Sequence, residues 1–268
     1  MNLFDSHSHY NDEKFDTDRD EIIKETLNSG VSNFIVAGYN IESSKKAIQI
    51  AQNYKELYTI VGISPNDVEN LKTEKDIKNY VCEMEKLAKN EKVVAIGEIG
   101  LDYYWNKENK EIQKQLFIKQ IELANKLNLP IVIHTRDAMI DTIEILKQNN
   151  VNKKGIFHCC PLNIELVKQA IKLDFYISLS GVITFKNAKN ADTIINMIPE
   201  DKLLIETDSP YLAPEPVRGT RNNSMNVKYV AQKIAQVKNK TVEEIAEITN
   251  NNAKRIFGIC NYKFQVKS

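Results

Sequence analysis

Short apolar runs alternate with amphipathic stretches along almost the whole chain. β-Branched and aliphatic residues concentrate at Leu3 to Ser6, Asn33 to Ala37, Tyr58 to Ile63 and Val93 to Glu98, then at Ile131 to His134, Gly155 to His158, Phe175 to Leu179 and Leu203 to Thr207. Each run is short and bounded by turn residues or caps, which predicts eight strands. The segments between them carry helical spacing. In QKQLFIKQIELANKLNL, the residues Leu116, Ile121, Leu123, Ala124 and Leu127 follow that spacing, and the pattern stops before Pro130, as expected of a helix covering a sheet. Strands alternating with helices imply a parallel sheet, and eight such units in a chain of 268 residues imply an α/β fold closed as a single (β/α)8 TIM barrel. The rival is an open doubly wound sheet. No GxGxxG or GxxxxGKS/T phosphate loop follows a strand, which removes the nucleotide-binding form of that rival. No Pro-, Gly- or Ser-rich linker and no internal repeat divides the chain, so residues 1–268 read as one domain.

Composition narrows the class further. Hydrophobic residues make up 42% of the chain, enough for a sizeable core, and 36 basic side chains balance 36 acidic ones. A neutral balance gives no basic stripe for long nucleic acid, so any nucleic-acid partner has to be gripped locally. The start MNLFDSHSHY has no basic stretch followed by a long apolar one, and no segment approaches about 18 uninterrupted apolar residues. Cys82, Cys159, Cys160 and Cys260 show neither CxxC spacing nor the density of a disulfide scaffold. The expectation is a soluble protein of the reducing cytoplasm, with no membrane role and no obligate protein partner.

All four histidines, His7, His9, His134 and His158, lie at the end of an expected strand or just past it. In a parallel barrel the strand ends converge on one face, where active sites of this architecture are built, so these distant residues can share a site. His7 and His9 are two apart, and in an extended segment both rings leave the same side. Imidazoles suit Zn, Mn, Ni or Fe, and oxygen ligands complete such a shell. Glu98 ends VVAIGE and Asp208 follows LLIET; both acids close apolar runs where a charge has no packing role. A lone strand-end histidine is commonly a satisfied polar residue and a lone acid a helix cap. Six together point to metal. Six ligands exceed one tetrahedral ion, so two divalent ions a few ångströms apart, with a carboxylate between them, suit the set, and their chemistry is hydrolysis by an activated water.

The motifs DSHSH, GEIGLDYYW, VIHTRDA, IFHC, ISLSGVITFKNA, LLIETDSPYLAP and VRGTRNN run in order from Asp5 to Asn223, and NNAKRIFG follows near the end. Together they resemble the TatD-related metal-dependent DNases, over almost the entire chain. The resemblance implies a TIM barrel of the metal-dependent hydrolase type holding one or two divalent ions, Mg, Mn or Zn, and acting on DNA ends. It implies that His7, His9 and Asp208 hold one ion, that His134 and His158 hold the other, and that Glu98 spans both. Asp208 is also expected to take the proton of the attacking water, which makes Asp208 and Glu98 the catalytic pair. Glu206 is expected to point the other way along its strand, either in a structural role or supporting the ligands from behind.

Substrate contacts are expected from Arg136, two residues past His134, whose planar fork suits a phosphate. Arg218 and Arg221 resemble the family's RGxRN segment after the last strand, either binding phosphate or pinning the loop. Tyr103, Tyr104 and Trp105 either stack on bases or pack at the rim. Two departures stand out. Ser64 in VGISPND occupies a position where the family usually has histidine, so a neutral hydroxyl able to donate one hydrogen bond replaces a titratable ring. HCCPLN replaces the usual HCFSG-like run beside His158. The leading expectation is a DNase, a phosphodiesterase trimming DNA strand ends. The alternatives are a metal-dependent hydrolase of a small amide, ester or lactone, and a metal-binding or scaffold protein without catalysis.

Overall fold

The computed structural model describes residues 1–69, 71, 73–105 and 107–259. Eight parallel strands pair in chain order: β1 (Leu3–Ser8), β2 (Val31–Ala37), β3 (Leu57–Val61), β4 (Val93–Asp102), β5 (Ile131–Arg136), β6 (Gly155–Phe157), β7 (Tyr176–Leu179) and β8 (Leu203–Ile205). Helices α1 (Arg19–Asn28), α2 (Ile41–Gln52), α3 (Glu74–Leu87), α4 (Lys110–Leu127), α5 (Met139–Gln148), α6 (Ile164–Lys172) and α7 (Ala191–Met197) fill the successive crossovers, and α8 (Val227–Lys238) and α9 (Val242–Ile256) follow β8. This is the TIM barrel expected from the alternating pattern. No helix among the described residues is long and apolar enough to cross a membrane.

Two apolar layers result. Phe4, Ile35, Ile60, Ala95, Val132, Ile156 and Leu204 form the inner layer, and Phe257 and Ile259, just past α9, join it; the Phe4 and Phe257 rings stack 6.1 Å apart. The outer layer lies between strands and helices. In α4, Leu116, Phe117, Ile121, Leu123 and Ala124 are buried against it, and the helix stops at Asn128, whose φ of 55° is left-handed, two residues before Pro130. The same buried face carries two glutamines used as main-chain anchors. Gln113 exchanges hydrogen bonds with the backbone of Asp102 at 2.9 and 3.1 Å, and Gln120 does the same with Ile63 at 2.7 and 3.0 Å. They hold the β4 end and the loop after β3, both on the face that carries the histidines.

Strand ends depart from the sequence reading in ways that matter for that face. β4 runs four residues past Glu98, to Asp102. Gly100, at φ 139°, allows this: a Cβ there would lie 2.0 Å from the carbonyl oxygen of His134. β8 ends at Ile205, before the expected Thr207, and the chain turns through Asp208 at φ 56°. Between β1 and β8 there is one isolated bridge, Ser8 to Ser209, rather than a full ladder. The seam is closed by other bonds: Asp208 N donates to His7 O at 3.0 Å, His9 N to Ser209 O at 2.7 Å, and Ser6 Oγ to Ile205 O at 3.0 Å. Buried Asp5 reinforces it, accepting from Thr207 N and Oγ1 and from Ser224 Oγ.

Candidate metal centre

The strand ends bring His7, His9, Glu98, His134, His158 and Asp208 together. His7 Nε2 lies 3.2 Å from His9 Nε2, 3.7 Å from Glu98 Oε2 and 3.8 Å from Asp208 Oδ1, while His9 Nε2 lies 3.3 Å from Asp208 Oδ1. Glu98 divides its two oxygens. Oε2 faces His7 and His9, whereas Oε1 faces His134 Nδ1 at 2.9 Å and His158 Nε2 at 3.4 Å. Ligand atoms of His7, His9 and Asp208 form one tight triad, and those of His7, Glu98 and His158 form a second, each within 4.8 Å of one another. His7 therefore adjoins both groups, its ring stacked 3.9 Å from that of His158.

Local irregularities aim these groups. The β1–β2 register shifts between Asp5 and Ser8, and the β3–β4 and β4–β5 registers shift around Val93–Ala95 and Ile96–Ile99. A one-residue shift turns a side chain to the other face of a strand. Asp5 and His7, two apart, accordingly part company: Asp5 bonds Thr207 and Ser224, and His7 faces Glu98 and Asp208.

A second ring of carboxylates stands behind the histidines. Asp102, fully buried, takes His134 Nε2 at 2.9 Å on Oδ2 and the amides of Tyr104 and Trp105 at 2.9 and 3.0 Å on Oδ1. That bond leaves His134 Nδ1 aimed at Glu98. Glu206 is equally buried, accepts the Cys159 amide at 2.6 Å and lies 3.4 Å from His158 Nδ1. Glu206 thus stands behind His158, and its expected opposite direction is corrected: residues two apart in an extended segment leave the same side, so alternation does not turn Glu206 away from Asp208. Sequence reasoning missed Asp102. The signal was an acid inside GEIGLD, an apolar run longer than the strand assigned to it.

Electrostatics follow from burial and this packing. Burial opposes charge on His7, and the neighbouring His158 adds to it, so the ring sits below its usual range. Burial also opposes charge on His9, His134 and His158, but Asp208, Asp102 with Glu98, and Glu98 with Glu206 respectively outweigh it and raise all three. Burial pushes Glu98 and Asp208 up, yet the surrounding rings hold both below the usual carboxylate range, Glu98 well below. Buried imidazole nitrogens and carboxylate oxygens converge here, and once the rings give up their protons the freed lone pairs are what a divalent cation takes, so the donor set fits such an ion.

The proposed substrate contacts fall in different places. Arg136 ends β5, exposed, with its guanidinium 3.9 Å over the Tyr104 ring and 5.5 Å from Trp105. Ser64 is buried and caps a short 3-10 turn at residues 65–67, accepting from Asn66 N at 3.3 Å. Arg221 is engaged by both oxygens of Asp18 and by Lys14 O, and its guanidinium lies over Phe15, so its contacts are those of a loop pin. Arg218 bonds Ala213 O at 3.2 Å and covers Phe185. Tyr103 is buried and donates to Asp141 Oδ2, whereas Tyr104 and Trp105 are 48% and 67% exposed.

A family profile described as TatD related DNase matches residues 4–258. The chain is 45% identical over 258 residues to the uncharacterized metal-dependent hydrolase YabD of Bacillus subtilis, covering 96% of this chain and 99% of that protein. It is 44% identical over 180 residues to the uncharacterized metal-dependent hydrolase YcfH of Escherichia coli, covering 67% and 68% of the two chains. Among solved structures it is similar to YJJV, a TatD homologue from Escherichia coli, at TM-score 0.89 and 25% identity over 96% of this chain and 98% of that one.

Proposed function

The chain belongs to the TatD-related DNase family of metal-dependent hydrolases, and from that membership we propose that it is a phosphodiesterase that hydrolyses DNA at strand ends, in the cytoplasm, with one or two divalent ions, Mg, Mn or Zn. The observation that carries this reading is the divided Glu98: one oxygen toward His7 and His9, the other toward His134 and His158. An in-line displacement at phosphorus needs charge stabilised at both the attacking and the leaving oxygen, and cations that His7, His9 and Asp208 on one side of Glu98 and His134 and His158 on the other would hold could supply it. When bound, divalent ions supply Lewis acidity, lowering the pKa of water and polarising a phosphoryl oxygen.

The chain's own residues do the rest. Asp208, held ionised by His9 and the neighbouring rings, accepts the proton of the attacking water. Asp102 holds the His134 ring through a hydrogen bond, and Glu206 lies as an acid 3.4 Å behind His158. Arg136, exposed and without a carboxylate partner among the described residues, meets the phosphate. A neutral chain suits this substrate, because gripping one or two phosphates needs no long basic groove, and cleavage should depend only shallowly on salt.

Metal-depleted protein, resupplied with Mg, Mn or Zn and offered single-stranded DNA, a lactone and a dipeptide, tests the reading. DNA cleavage lost in Asp208→Asn supports it. Intact DNA under every metal, with turnover of another substrate, overturns it in favour of a small ester or amide; no turnover of any substrate favours a non-catalytic metal-binding protein.

A further inference from the structure

Large apolar side chains exposed among the described residues are few: Met1, Tyr104, Trp105, Ile140 and Tyr211. Tyr104 and Trp105 follow β4, their amides on Asp102 behind His134, and Tyr211 follows β8, its ring 6.3 Å from that of His9. Tyr104 and Trp105 are adjacent, their ring centroids 4.8 Å apart and their planes at 89°. Arg136 covers Tyr104 at 3.9 Å, while Trp105 stays 67% open.

Their position is tied to the ligands. The amides of Tyr104 and Trp105 bond one oxygen of Asp102 and His134 bonds the other, so a single carboxylate sets both the ring of a ligand and the loop carrying the aromatics. Arg136 lies two residues beyond His134 on the same strand, which puts both on one side of it, and Tyr103 N ties the loop to Arg136 O at 2.9 Å. Among the described residues no carboxylate neutralises the Arg136 guanidinium.

We propose that Trp105, Tyr104 and Arg136 form a nucleotide ledge beside the metal centre, where Trp105 stacks on an unpaired base and Arg136 holds that nucleotide's phosphate, selecting single-stranded DNA ends. The proposal rests on the DNase reading above and deepens it. An open indole beside an unneutralised guanidinium matches the two parts of a nucleotide, a π-face and an anion, and it matches neither a lactone nor a dipeptide as well. A base inside a duplex has both faces covered by its neighbours. A single strand can turn the face of any of its bases to Trp105, whereas a blunt duplex offers a face only at its end pairs, where the base is held by its partner.

Trp105 is the only tryptophan in the chain, so intrinsic tryptophan emission reports this one position. In magnesium, titration with a short single-stranded phosphorothioate oligonucleotide should quench that emission saturably, and a blunt duplex of the same sequence should quench it much less. In kinetics, Trp105→Ala should raise KM for a single strand about ten times more than KM for an abasic strand of equal length, and Trp105→Phe should recover most of the loss. If DNA is hydrolysed but emission does not change and the two KM values shift equally, the ledge is refuted and the DNase reading survives. Quenching without hydrolysis under Mg, Mn or Zn would keep the ledge and refute the DNase reading. Absence of both refutes both.

Discussion

Asp102→Asn is the most informative single change at the metal centre. The carboxylate accepts four hydrogen bonds: Tyr104 and Trp105 amides on Oδ1, and His134 Nε2 at 2.9 Å with Asn66 Nδ2 at 3.3 Å on Oδ2. All four partners are donors. An asparagine offers one accepting oxygen and an NH2 group, so two of the four must face another donor whichever way the amide turns. With its oxygen toward His134, the loop amides lose their acceptor at a cost of about 1–3 kcal/mol. With its oxygen toward the loop, His134 loses the bond that aims Nδ1 at Glu98. Loss of such an outer partner typically weakens metal affinity roughly ten- to hundredfold. Competition against a chromophoric chelator, with circular dichroism to confirm that the barrel is folded, measures this directly. An affinity lowered by less than about twofold in a folded variant would refute the positioning role of Asp102.

Other expectations follow from the same site and its surroundings. Asp208→Asn should abolish hydrolysis while leaving the far-ultraviolet dichroism unchanged, and residual turnover near that of the wild type would assign the proton to another group. Metal affinity should rise with pH: His9, His134 and His158 keep protons above the usual imidazole range, a cation must displace them, and raising pH removes that competition. Calorimetry in buffers of different ionisation enthalpy should record proton release on binding, and none released at pH 6 would contradict this. Burial pushes Asp5 up to about 7 against the pull of Ser224 and Thr207, so the folded chain binds a proton there that the unfolded chain gives up near its ordinary value. This group's contribution is full at low pH and falls as pH rises toward 7; urea denaturation should show that decline in the wild type and lose it in Asp5→Asn.

Much of this was legible because an apolar strand that ends in a charge or an imidazole is hard to explain by packing. VVAIGE and LLIET with the acid after it announced Glu98 and Asp208, and four histidines confined to strand ends announced the rest. What stayed hidden depends on register. Nothing in LFDSHSH says that the β1 ladder shifts between Asp5 and Ser8, so that Asp5 serves the seam while His7 serves the site. Nor does GEIGLDYYW say that the strand continues past Glu98, because that extension depends on a close approach between Gly100 and the His134 carbonyl. The direction of Glu206 was misjudged for a simpler reason, since a residue two before Asp208 in an extended segment shares its side.

The seam between β1 and β8 also has a meaning in time. His7 and His9 are made about 200 residues before Asp208 and Thr207. At roughly 5–20 residues per second of synthesis, β1 waits on the order of ten seconds or more for the partner that completes its triad. Until β8 arrives, the seam bonds cannot form and the first ligand group has no Asp208. That ligand group is therefore complete only once β8 has reached β1, and a chain cut short before residue 208 lacks its carboxylate.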